Sequence, residues 1–248
     1  PSLSEGEGDL SITISVYIKS RTLTISDNGI GMSDDELIEN LGTIARSGTA
    51  AFVENIDKTE GAENNLIGQF GVGFYSAFMV ADKVTVTSRR AGTNKGNIWE
   101  SDGKGSFTVI PSDADDPRGT KVVLHILKSE KEFLESERIK QIIKTYSDHI
   151  ALPIILAGKE DAVEQINTAS ALWARPRSEV NKDQYNEFYR HVGQMFDEPW
   201  LTLHNRVEGK IEYTNLVFIP SSQPFDLFQP ERKTNIKLYV RRIFITDD

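Results

Sequence analysis

Three glycine-bearing stretches of this 248-residue chain carry residue types that can do chemistry. The first is Asp27-Asn28-Gly29-Ile30-Gly31-Met32. A carboxylate delivered by a strand end can accept hydrogen bonds from an exocyclic amine such as that of adenine. Gly29 and Gly31 withdraw side chains so that a flat ring can approach the backbone, and Met32 offers a soft apolar wall. Asn-Gly is also a common turn signal, so a tight turn after a strand competes with this reading. The second stretch is Gly68-Gln69-Phe70-Gly71-Val72-Gly73-Phe74, directly before a predicted helix. Glycines there can present bare amides and the positive end of a helix dipole to an anion. A hinge or a close helix–sheet contact would use the same residues. The order G-x-x-G-x-G is not the dinucleotide fingerprint G-x-G-x-x-G, and the chain contains no P-loop string. The third is Gly119-Thr120, which by itself reads as a turn exit at a strand start.

The elements that must position these groups are legible as hydrophobic periods. Residues 10–18 and 21–26 alternate apolar and polar across a short polar connection, which predicts an antiparallel hairpin ending at Asp27. Ser33 with Glu36 three residues later forms a capping box, so a helix starts there. Residues 42–67 are rich in Gly, Ser, Thr and Asn and read as a mobile segment with one short helix near Ala50–Ile56. Tyr75–Ala81 reads as a buried helix. Strands are expected near 83–89, 97–100, 105–110 and 120–127, then an amphipathic helix from Ser136 and a last strand of the unit at Pro153–Leu156. Residues 158–166 are small and charged, the pattern of a linker. A helix over 182–195 and strands at Leu201–Val207, Ile211–Pro220 and Ile236–Thr246 make up a second, α/β unit. Trp99, Trp173 and Trp200 are expected in the core, because large aromatics bury well.

Composition narrows the function classes. Formal net charge is -9, which disfavours nucleic acid as a partner, because a phosphate backbone needs clustered Lys and Arg. Any bound phosphate must be held by local dipoles and a few cations. There is no cysteine, which excludes disulfides, thiolate zinc sites and cysteine nucleophiles and fits a reducing, cytoplasmic setting. His125, His149, His191 and His204 show no ligand spacing, so no metal site is expected from them. No apolar run approaches the ~20 residues needed to span a bilayer.

Taken together, DxGxG, then GxxGxG roughly forty residues on, then GT after roughly fifty more, resembles the ordered motif set of the GHKL ATPase superfamily, which includes gyrase, heat-shock chaperones, histidine kinases and MutL. The intervening strings decide the branch. Asn40–Phe52, Ile67–Val84, Tyr146–Ile154, Glu187–Val192, Glu212–Phe228 and Ile236–Asp248 are similar to the ninety-kilodalton heat-shock chaperone family, and the short linker resembles that of its bacterial members. The resemblance implies an α+β chain. Residues 1–157 would form a two-layer α/β sandwich of the GHKL (Bergerat) type with a mixed, mainly antiparallel sheet. Residues 158–166 would link it to the beginning of an α/β middle domain at 167–248. It implies an ATPase chaperone parent, with a DNA-linked ATPase of the gyrase B or MutL class, or a non-catalytic binding module, as the alternatives.

Carried over position by position, the resemblance assigns Asp27 to the adenine amine, with Thr120 in the same hydrogen-bond network. Gly31, Met32 and Leu41 would line the base pocket, and Asn40 and Arg46 would face the sugar and phosphates. Gly68, Gln69, Phe70, Gly71, Val72, Gly73 and Phe74 would wrap the phosphates, with 42–67 as a lid whose closure orders the segment and excludes water. The family's water-orienting Glu and its Mg²⁺-binding Asn lie upstream of Pro1, and Glu5 and Glu7 do not reproduce their E-x-x-x-N spacing. The resemblance also places the family's phosphate-reaching Arg beyond Asp248; Arg241 and Arg242 read as strand residues and are not given that role. No catalytic residue is therefore expected in this chain, which should bind ATP or ADP weakly and hydrolyse little. Phe225, Leu227 and Phe228, on a proline-bounded loop, form a candidate patch for unfolded client proteins. The family also implies a homodimer through a C-terminal domain not in this sequence, with no nucleic acid or membrane partner.

Overall fold

The computed structural model describes residues 8–42, 72–112, 116–158, 162–193, 195–223, 228 and 236–247. Two compact units divide the chain, Pro1–Ala169 and Ser170–Asp248.

In the first unit the predicted hairpin forms β1 (Ile12–Tyr17) and β2 (Thr22–Asp27), antiparallel and in register from Ile12 against Asp27 to Tyr17 against Thr22. Helix α1 (Asp34–Leu41) starts at the predicted capping box: Glu36 N–H donates to Ser33 Oγ at 3.3 Å, and Ser33 N–H donates to Glu36 Oε2 at 2.8 Å. β3 (Ala81–Arg89), β4 (Asn97–Ser101), β5 (Phe107–Pro111) and β6 (Gly119–Ile126) follow, then α2 (Ser136–Tyr146), β7 (Ile154–Ala157) and β8 (Val163–Gln165). The strands form one eight-stranded sheet in the order β5-β4-β3-β6-β2-β1-β7-β8. Among the described residues only the β1–β7 pair is parallel. This is the expected mixed, mainly antiparallel α+β arrangement.

Two elements differ from the sequence expectation. Residues Gly73–Met79 form a 3₁₀ helix with no fully buried residue, not a buried α-helix. Phe74, Ala77 and Val80, and likewise Tyr75 and Phe78, recur every three residues and are half-buried, while Ser76 and Met79 face out; that is the period of a 3₁₀ turn. β8 lies inside the expected linker and pairs antiparallel with β7, so the strand at Ile154 is not the last of the sheet.

Directly opposed residues in a ladder point to the same face, and the registers stack three rows across the middle of the sheet. Val84, Leu124 and Leu23 make one row, and Val86, Val122 and Ile25 the next. Leu37 of α1, Leu134, Ile139 of α2 and Trp99 join Leu23, Val84, Val86, Leu124 and the half-buried Val122 in one apolar cluster, while Ile25 stays exposed. Leu37, Val84 and Val86 are wholly removed from solvent, and each such side chain contributes about 1.5–3 kcal/mol. The third row, at the strand ends, is Ser88, Thr120 and Asp27. An apolar sheet face thus ends in a line of three oxygen-bearing side chains.

The second unit packs α3 (Lys182–Gly193) on a two-stranded sheet of β9 (Pro199–Val207) and β10 (Tyr213–Pro220). His204 anchors the contact, 2.7 Å from the Tyr185 hydroxyl through Nδ1 and 3.1 Å from the Trp173 carbonyl through Nε2. Trp173 packs among Phe188 and Tyr239. Trp200 corrects the expectation of a core residue: it is 73% exposed, at the start of β9 where the pairing with β10 slips between Ile219 and Pro220. Arg241 and Arg242 are also not strand residues. Both have positive φ, 51° at Arg241 and 68° at Arg242, and they turn β11 (Leu238–Val240) into β12 (Ile243–Thr246). Two positive-φ residues are what a tight two-residue hairpin requires, usually supplied by Asn-Gly, so Arg-Arg gave no turn signal.

Candidate functional site

The polar row is built on three strands, and its most buried member is a side chain that sequence reading passed over. Ser88 is 1% exposed. Its hydroxyl accepts from the Met32 N–H at 2.8 Å, lies 3.0 Å from the Gly119 carbonyl and 2.9 Å from Thr120 Oγ1. The signal that could have found it is parity: Ser88 shares the inward face of β3 with the buried Val84 and Val86.

The loop from Asn28 to Met32 is fixed residue by residue. The Asn28 side chain accepts from Ser11 N–H at 2.8 Å and donates to the Asp9 carbonyl at 2.9 Å, and the Asn28 backbone carbonyl accepts from the Arg118 guanidinium at 2.8 Å. Gly29 N–H donates to Asp27 Oδ1 at 2.8 Å. The Ile30 carbonyl accepts from Ala91 N–H at 2.7 Å. Arg90 pairs with Glu36, tying the turn after β3 to the first turn of α1. Gly31 has φ +64°, and a Cβ there would lie 2.0 Å from the Arg89 carbonyl oxygen. Gly119 has φ +117°, and its Cβ would lie 2.1 Å from the Asp27 carbonyl oxygen. Both glycines are demanded by backbone packing and a left-handed conformation. That is a different reason from the open approach to a flat ring expected of Gly31.

Asp27 is the one member of the row open to solvent. Burial of its surroundings pushes the carboxyl above the usual aspartate range, against the opposing pull of the Gly29 and Thr120 backbone N–H groups. A carboxylate that keeps free acceptor capacity beside a hydroxyl can bind a polar ligand edge rich in donors.

Of the sequence-predicted residues, Asp27, Gly31, Met32 and Thr120 come together at this corner. Met32, Leu41 and Phe74 belong to or pack on the same apolar cluster. Leu41 ends α1, and its carbonyl accepts from the Tyr75 hydroxyl at 3.0 Å, which joins α1 to the 73–79 turn. Phe74 stands edge-on to Trp99 with ring centres 5.4 Å apart. Asn40 is half-buried at the helix end, and Val72 and Gly73 are exposed, with nothing within 4 Å of a Cβ built at Gly73. Arg46, Gly68, Gln69, Phe70 and Gly71, like Phe225 and Leu227, lie outside the described residues. Phe228 is 86% exposed. Among the described residues no three His, Asp or Glu side chains group as a metal site, and no helix is long and apolar enough to cross a membrane.

Residues 9–111 match the family of histidine kinase-, DNA gyrase B- and HSP90-like ATPases, and residues 157–248 match the Hsp90 protein family. Chaperone protein HtpG of Rhodospirillum rubrum is 57% identical over 251 residues, spanning 100% of this chain and 40% of its own length. That of Rickettsia rickettsii is 55% identical over 249 residues, spanning 99% and 40%, and that of Paramagnetospirillum magneticum 56% over 248 residues, spanning 100% and 40%. The chain thus covers 40% of the length of these curated relatives. An ATPase-type sheet with a polar row closing its apolar face, a match to the Hsp90 protein family in the second unit and similarity to HtpG from end to end lead to one assignment: the chain belongs to the ninety-kilodalton heat-shock protein family, in its bacterial HtpG branch.

Proposed function

We propose that the first unit binds an adenine nucleotide, ATP or ADP, and that the chain is the nucleotide-binding part and the start of the middle domain of an ATP-driven chaperone that assists protein folding. The observation that carries this reading is the row Ser88–Thr120–Asp27 closing an apolar sheet face, with the Asp27 carboxylate open to solvent. Asp27 accepts from the base amine, Thr120 completes the polar edge, and Gly31, Met32 and Leu41 form the apolar side of the base pocket. Asn40 and Arg46 face the sugar and phosphates. Gly68–Phe74 meets the phosphates with backbone N–H groups, and the exposed Val72 and Gly73 leave room for that approach.

Hydrolysis belongs to the longer parent. This chain's residues bind and orient the nucleotide. The described residues do not by themselves fit a Mg²⁺ site; in the parent that ion supplies charge neutralisation on the phosphates. Unfolded or partly folded proteins are the proposed clients, with Phe225, Leu227 and the exposed Phe228 as their contact. A homodimer and a cytoplasmic location complete the reading. The DNA-linked alternative is not favoured, because residues 157–248 match the Hsp90 protein family and the net charge is -9.

The test is calorimetric titration with ADP. Asp27→Asn exchanges an acceptor for a mixed donor–acceptor at the amine contact, and about a hundredfold loss of affinity is expected. Equal affinity of wild type and variant would sink the assignment.

A further inference from the structure

The geometry points to Ser88 as a positioning residue that fixes the direction of the Thr120 hydroxyl proton, so that Thr120 presents only lone pairs to the nucleotide base. This rests on the nucleotide reading above and adds the device that would set its choice of base.

The argument is a proton count. Ser88 Oγ has three neighbours within hydrogen-bond distance: the Met32 N–H, the Gly119 carbonyl and Thr120 Oγ1. The first can only donate and the second can only accept. Ser88 owns one proton. If that proton went to Thr120, the Ser88 and Gly119 oxygens would face each other at 3.0 Å with none between them, in a site 1% exposed, where an unmet acceptor is expensive. All three contacts are satisfied in one arrangement only. Ser88 donates to Gly119, and Thr120 donates to Ser88. The Thr120 proton then points inward along the sheet, and its remaining lone pairs stand beside Asp27, its directly opposed neighbour on β2.

Two adjacent acceptors make an edge that suits a 6-aminopurine, whose amine brings two N–H groups. A 6-oxopurine places a carbonyl oxygen there instead, lone pair against lone pair. Removing Ser88 frees the Thr120 proton to turn outward and donate to that oxygen. Selectivity for the base is therefore governed by a side chain that touches no part of the nucleotide.

The experiment titrates wild type, Ser88→Ala, Ser88→Thr and Thr120→Val with ADP and with inosine diphosphate. Ser88→Ala should lower the preference for ADP over inosine diphosphate by about tenfold, the worth of one hydrogen bond. Ser88→Thr, which keeps the hydroxyl, should restore it. Thr120→Val is nearly isosteric and tests the same claim without disturbing Ser88: it should weaken ADP by about tenfold and leave inosine diphosphate unweakened. An unchanged preference in Ser88→Ala, or equal losses for both nucleotides in Thr120→Val, overturns the role of Ser88 while leaving the nucleotide site standing. A wild-type protein that binds neither nucleotide overturns both.

Discussion

Asp27 and Asp148 are the same residue type in two opposite settings of one unit. Asp148, at the end of α2, is 4% exposed. Burial alone would raise its pKa, yet Lys144 at 3.0 Å, the Thr168 N–H at 2.7 Å and the Thr168 hydroxyl at 3.0 Å from each oxygen outweigh it and hold the carboxyl below the usual range. Its oxygens are committed to the protein. Asp27 is open to solvent, accepts from Gly29 N–H, and is pushed the other way. One carboxylate fastens residue 168 to the end of α2. The other keeps acceptor capacity and sits at a net electrostatic disadvantage, a setting that supports the ligand role proposed for it.

The largest expected effect is on the frame around Asp27, not on the carboxylate. Gly119→Ala puts a Cβ 2.1 Å from the Asp27 carbonyl at a φ of +117°. Strain and overpacking together should cost about 3–5 kcal/mol in denaturant unfolding. A loss under about 1 kcal/mol would mean that the corner is loose and that Asp27 is not held in place. Asp148→Asn comes next. It leaves Lys144 and the Thr168 donors short of an ionised acceptor and should cost about 2–3 kcal/mol, the lower part of the range for a broken buried pair because Lys144 is half-exposed. The sign of the pH effect follows from the depressed pKa. The stabilisation is present above the unfolded value, near ~3.9, and is lost as pH falls through the lower folded value. Acid unfolding of wild type should therefore steepen below about pH 4, and Asp148→Asn should flatten that limb. Nucleotide affinity of the folded variant should not change.

Asp27→Asn should behave in the reverse manner, losing ADP affinity with stability unchanged within about 0.5 kcal/mol. Its folded pKa is raised, so the folded state binds the extra proton between the unfolded and folded values. As pH rises through that window the group withdraws stability, and the amide removes the effect. On the proposed nucleotide reading the carboxylate must be ionised to accept from the base amine, so ADP affinity should fall on acidification at a higher pH than an ordinary aspartate would give. Variants that lose stability and binding together at both positions would erase the contrast between the two aspartates.

Much of this corner was legible because short-range signals agreed with one another. Alternation placed Asp27 at a strand end, the Ser33–Glu36 spacing opened α1 where the capping box forms, and the strand periods of β3 to β6 fell where the ladders lie. Ser88 was not legible, since its meaning comes from lying opposite Thr120 on a neighbouring strand 32 residues away. The reason for Gly31 was likewise hidden, because the Arg89 carbonyl that requires it arrives from another strand. Asp148 carried no signal at all, since its partner Thr168 lies beyond a pair of strands. Tyr75–Ala81 and Arg241-Arg242 failed for a local reason: a three-residue apolar period and an arginine pair are both atypical of the elements they form.

The smallest effect probes whether α1 matters to the corner. Ser33 Oγ accepts from Glu36 N–H, while Glu36 accepts from Ser33 N–H and pairs with Arg90, one residue before the Ala91 amide that holds the Ile30 carbonyl. Burial alone would raise the Glu36 carboxyl; the Ser33 N–H and the Arg90 guanidinium bring it below its usual range instead. Ser33→Ala removes one side of this clamp and should cost about 1 kcal/mol in unfolding. The Ser88–Met32 and Ala91–Ile30 bonds remain, so the loop should stay in place and ADP affinity should move less than about twofold. If Ser33→Ala instead matched Asp27→Asn in lost affinity, the corner would depend on the helix start rather than on the three-strand row, and the separation between groups that fasten the fold and groups that meet the ligand would have to be redrawn around α1.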